Sequence, residues 1–116
     1  MTTHPTMAYK VLTADQRAEL ESGTFGGAPV DLADGYIHMS TADQVTATVD
    51  KHFAGQDGLH VAAVDLTHFG DSLKWEVSRG GALFPHLYAP LPLAAVVAMQ
   101  PLARTGDGAI ILPQAG

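Results

Sequence analysis

The chain has 116 residues, a mass of 12.1 kDa and a formal charge of −6, with 47% hydrophobic and 16% charged residues. It is long enough for one core, too apolar for a disordered segment, and lacks any run of the roughly 20 apolar residues that a membrane helix needs. With no cysteine it has no disulfide, thiol or thiolate–zinc chemistry, and six scattered Lys and Arg among twelve acids argue against nucleic acid as a partner.

Residues 1–7 read as a loose tail without the basic and apolar segments of a signal peptide, so the expectation is a cytoplasmic protein. Residues 8–116 read as a single globular domain. Ala8-Tyr9-Lys10-Val11-Leu12 is a strand, and Thr13-Ala14-Asp15-Gln16 after it is a capping box: the Thr13 hydroxyl accepts from the Gln16 N–H, and the Gln16 side chain reaches back. The helix runs to Ser22, with Arg17 and Glu21 one turn apart, and Gly23 ends it. Thr24 to Ala33, with Gly26, Gly27 and Pro29, reads as a surface loop.

Tyr36-Ile37-His38-Met39-Ser40 follows as a short strand. Alternation puts Tyr36, His38 and Ser40 on one face and Ile37 and Met39 on the other. A phenol, an imidazole and a hydroxyl make a poor core and a good wall for a polar pocket. Thr41-Ala42-Asp43-Gln44 then opens a second helix with Val45, Val49 and Phe53 as its buried stripe. Leu59 to Leu66 is apolar on both faces and therefore a central strand. Leu73 to Ser78 alternates, with Leu73, Trp75 and Val77 inward and Lys74 and Glu76 outward. Phe84-Pro85-His86-Leu87-Tyr88 is extended, and its prolines confine it to a sheet edge or a cleft. Leu93 to Met99 is another buried strand, and the tail forms an arm around Gly106-Asp107-Gly108. Helices early and strands late give an α+β class, two helices on a mostly antiparallel sheet that can be split in two.

Tyr36-x-His38-x-Ser40, Lys74-x-Glu76 and His86-x-Tyr88 are each spaced by two, so each projects its members from one side of an extended chain. Brought together, they line one cleft for a small polar ligand. The plain alternatives are a half-buried His38 satisfied by the backbone, a capping Ser40, and a surface ion pair at Glu76. His38, His86 and Glu76 also make a legitimate iron or zinc ligand set if they converge. Ser40 is not activated directly by His38, because two positions along a strand are about 7 Å apart.

Asp34-Gly35-Tyr36-Ile37-His38-Met39-Ser40-Thr41, Trp75-Glu76 and Phe84-Pro85-His86-Leu87-Tyr88 together resemble a small bacterial and plant family catalogued as domain of unknown function 952. That family is similar to the ADP-ribosyltransferase-like fold, a split sheet whose cleft holds NAD in active members. The resemblance implies NAD as candidate substrate and ADP-ribosyl transfer or NAD glycohydrolysis as candidate activity. It implies Glu76 and His38 as catalytic groups, Glu76 stabilising the ribosyl cation and His38 holding the ribose. Tyr36, Ser40, His86, Tyr88 and Arg79 would contact the ligand. Arginine-modifying members carry Glu or Gln two residues before the catalytic Glu, and here that position is Lys74. A binding module for a nucleotide-like ligand, without turnover, is the alternative.

Overall fold

The structure, a computed structural model, describes residues 5–77 and 81–113. Among them are nine regular elements in the order β1 (Met7–Leu12), α1 (Ala14–Ser22), α2 (Pro29–Asp34), β2 (Ile37–His38), α3 (Val45–His52), β3 (His60–Asp65), β4 (Leu73–Val77), β5 (Leu83–Leu87) and β6 (Val96–Pro101). The strands form two antiparallel three-stranded sheets, ordered β1-β3-β6 and β2-β5-β4. The fold is α+β with a split sheet, as the patterning implies. No helix among the described residues is long and apolar enough to cross a membrane.

Two apolar clusters flank the first sheet. Alternation along β1 sends Ala8 and Leu12 into the space between the sheets, where they meet Ile37, Leu87 and Leu20. Val11 faces the other way, onto Val45 and Val49 of α3 and Ile110 of the C-terminal arm. β3, the central strand of this sheet, sends Ala62 and Val64 into the first cluster, and Leu59 just before it joins the second. Lys10 shares the inward face with Ala8 and Leu12, so a lysine lies inside the molecule, 6% exposed.

The α1 cap forms as its residues dictate. Gln16 N–H donates to the Thr13 hydroxyl at 3.2 Å, the Gln16 side chain accepts from Thr13 N–H at 3.0 Å, and Gly23 closes the helix at φ 82°. Thr24 to Ala33, expected as a loop, contains α2 instead. Pro29 occupies the first turn, where its missing N–H is no loss, Asp31 accepts from Ala28 N–H at 2.8 Å, and Gly35 ends the helix at φ 88°.

The second helix begins later than its capping motif. Gln44 bonds back to Thr41 N–H at 3.0 Å, but residues 42–44 form a turn and the α-helix starts at Val45. Val77, expected inward, is 69% exposed at the end of β4. Leu93–Ala95 is a 3₁₀ turn rather than strand, and β6 is a half-buried edge.

β5 is the central strand of its sheet, not an edge, despite Pro85. The Pro85 carbonyl accepts from Met39 N–H at 3.1 Å, so its missing donor faces the β2 side. There β2 leaves the ladder: Ser40 pairs with Tyr9 of the other sheet. The proline sits where no partner asks for its N–H.

Candidate functional site

Register builds the site. His38 of β2 lies opposite His86 of β5, which lies opposite Lys74 of β4, while Ile37, Leu87 and Leu73 form the adjacent row on the core face. One face of the sheet is therefore apolar and the other carries imidazoles and charge. Tyr36, two residues before His38, and Tyr88, two after His86, join that polar face. Glu76 reaches it from β4.

The side chains meet. The Tyr36 ring stacks on His86 with centroids 4.2 Å apart and planes 28° apart, and it lies 4.6 Å from His38 and 5.1 Å from Tyr88. His38 meets His86 edge-on at 5.4 Å. Glu76 Oε1 accepts from Tyr88 O–H at 2.7 Å and lies 2.8 Å from His86 Nδ1. Five of the seven residues expected at the site thus form one cluster.

Ser40 does not join them. Its hydroxyl pairs with Thr48 of α3 at 2.8 Å, because the alternation that would align it with His38 ends where the chain crosses to Tyr9. Arg79 lies outside the described residues.

Behind His38 stands a group that the sequence pattern did not expose. Asp31, 2% exposed, accepts four hydrogen bonds: Oδ1 from His38 N–H at 3.0 Å and from the His38 ring at Nδ1, 2.7 Å; Oδ2 from Lys10 Nζ at 2.9 Å and from Ala28 N–H. Lys10 also donates to the His38 carbonyl at 2.9 Å. Asp34 Oδ2 sits 2.9 Å from His38 Nε2. Both ring nitrogens of His38 are thus held by carboxylates, and its backbone is held as well. The signal for Lys10 was its place on the inward face of β1; Asp31 was hidden by the glycines and proline around it.

The charges follow from these contacts. Burial alone would raise Asp31, but the His38 hydrogen bonds and the Lys10 charge hold it down at about 2. Burial pushes the Lys10 ammonium below the usual lysine value, partly offset by Asp31. The hydrogen bonds from Tyr88 and then His86 keep Glu76 below the usual glutamate value. In return the Glu76 bond pushes the Tyr88 phenol up to about 12. Partial burial, then Asp34 and Glu76, raise Tyr36.

The His86 ring is 2% exposed, and its Nε2 is buried without a hydrogen-bond partner among the described residues. Beside the cluster an open groove of about 280 Å³ runs between Tyr36, Tyr88, Leu32, Gly35 and Pro90. A larger groove of about 720 Å³ lies between α1 and Thr24–Pro29 and holds none of these groups. His38, His86 and Glu76 do come together, the condition on which the metal set depended, but among the described residues no three His, Asp or Glu groups assemble as metal ligands. The His38 nitrogens and His86 Nδ1 already face carboxylates.

Solved structures with this architecture exist for protein CC0527 from Caulobacter crescentus. Its crystal structure is 44% identical to this chain, covers 94% of both chains and superposes with a TM-score of 0.82. A crystal structure of a double mutant of that protein gives 43% identity, the same coverage and a TM-score of 0.81. Its solution NMR structure gives 43%, 91% of both chains and 0.76. No curated protein matches the chain. The model of one family, described as "Protein of unknown function (DUF952)", matches residues 11–99, a span that contains β2, β4, β5 and every member of the polar cluster, and the chain belongs to that family.

Proposed function

We propose that the polar face of the second sheet binds a nicotinamide-nucleotide ligand and that Glu76 assists cleavage of its glycosidic bond. One observation carries the reading. Glu76 Oε1 is fixed by Tyr88 and His86, while Oε2 has no partner among the described residues. An ionised carboxylate with one oxygen held and the other without a donor among the described residues suits a developing cation. When the C–N bond breaks, its electron pair neutralises the pyridinium nitrogen and positive charge builds on the ribose. Glu76 Oε2 stabilises that charge until water or another nucleophile adds to the anomeric carbon. Tyr36 and Tyr88 flank the planar leaving group, and His38, fixed by Asp31 and Asp34, orients the ribose.

The test is calorimetric titration of NAD followed by an assay of nicotinamide release, with Glu76→Gln as control. The reading expects saturable binding by both proteins, and release that falls about 10²- to 10³-fold in the variant. Saturable binding without release by the wild type would leave recognition without turnover. That second reading is favoured by the Tyr36 ring, which covers His86 in the stacked arrangement.

A further inference from the structure

We infer that His86 reads the ligand through Nε2 as a hydrogen-bond acceptor, and so selects a neutral carboxamide over a carboxylate. This rests on the binding reading above and adds to it the group that the site recognises. Glu76 is an acceptor only, so its contact with His86 Nδ1 at 2.8 Å places the ring hydrogen on Nδ1. The neutral ring then carries its lone pair on Nε2, the atom that is buried without a partner among the described residues. Buried polar atoms are almost always hydrogen-bonded, and those that are not point to function.

The cover over this atom's ring is Tyr36, stacked at 4.2 Å and directly following Gly35, whose φ is 88°. Outward rotation of that one half-exposed side chain loosens the stack and lets a ligand ring enter between Tyr36 and Tyr88 with its carboxamide edge-on, in the plane of the imidazole. The ligand's carboxamide N–H then donates to Nε2. A carboxylate at the same position offers no hydrogen, sets a lone pair against a lone pair, and adds a charge close to Glu76 and Asp34.

The probes are nicotinamide and nicotinic acid, titrated into the wild-type chain at about pH 8. The inference expects nicotinamide to bind at least roughly tenfold more tightly, since a site built around a hydrogen bond rejects the analogue that cannot form it. His86→Phe keeps the stacking ring and removes the acceptor, so the preference should shrink severalfold, leaving only the part due to the charges of Glu76 and Asp34. ¹⁵N-histidine NMR on the wild type carries the same test if that variant does not fold. Nicotinamide should shift Nε2 of one histidine, as donation to its lone pair requires, and nicotinic acid should not. Equal affinities, a preference for the acid, or an undiminished preference in His86→Phe overturns the inference alone while NAD still binds. Absence of binding by both probes and by NAD overturns it together with the reading beneath it.

Discussion

The ammonium group of Lys10 and the carboxylate of Asp31 lie 2.9 Å apart with side chains 7% and 1% exposed, and this pair ties the first sheet to α2 and to the backbone of β2. Its two halves are not equivalent. Asp31→Asn leaves the ammonium in the core with only the His38 carbonyl, whereas Lys10→Met leaves Asp31 three other N–H donors. Urea unfolding should therefore show a loss of about 3–5 kcal/mol for Asp31→Asn and a clearly smaller loss for Lys10→Met. The double variant should lose less than the two singles added, because the second change removes the charge that the first stranded.

Acid should act on the same carboxylate. The folded Asp31 titrates at about 2 against 3.8 for the free side chain, so its contribution is complete above about pH 4 and is lost as pH falls through the folded value. The gap corresponds to roughly 2 kcal/mol. Unfolding free energies from urea titrations between about pH 5 and pH 2 should fall by that amount on account of Asp31, and Asp31→Asn, starting lower, should lack this part of the slope. Parallel slopes in the two proteins would contradict the hydrogen-bond arrangement around Asp31.

Two glycines near Asp31 separate conformational strain from steric conflict. Gly35 has φ 88° and open space where a Cβ would stand, so Gly35→Ala should cost only the left-handed penalty, about 1 kcal/mol. Gly27 has φ 133°, and a Cβ there would stand 2.9 Å from Asp31 Cβ. Gly27→Ala should cost at least about 2 kcal/mol, since the clash presses on the residue that anchors His38. Thermal melts of the two variants would rank them, and equal losses would mean that the 24–28 segment yields freely.

What the sequence disclosed and what it hid divide along the reach of the interactions. Thr13 with Gln16, Gly23, and the doubly apolar β3 are local patterns, and each took the predicted form. The period of two in Tyr36-x-His38 and His86-x-Tyr88 disclosed a shared polar face, because register then needed only to align two strands. Ser40 was lost to that face by a crossing between sheets, which no alternation rule contains. Pro85 occupies a central strand because its neighbour departs at that point, a fact about Met39 and Tyr9 rather than about proline. Asp31 looked like a loop acid, and only the arrival of Lys10 and His38 makes it the hub behind the site.

The bond from Tyr88 to Glu76 gives the most direct test of the cluster itself. Ionising a phenol whose hydrogen is held by a carboxylate 2.7 Å away sets two negative charges together, which pushes Tyr88 up to about 12. A titration followed by phenolate absorbance should show one of the three tyrosines still protonated beyond about pH 11. Glu76→Gln removes the anion, so that component should move down toward the ordinary value near 10, with a smaller shift of Tyr36, which also feels Glu76. Tyr88→Phe should delete the late component and leave the others in place. Superimposable curves for wild type and Glu76→Gln would mean that Glu76 does not hold Tyr88, and would remove the fixed Oε1 on which the proposed role of Oε2 depends.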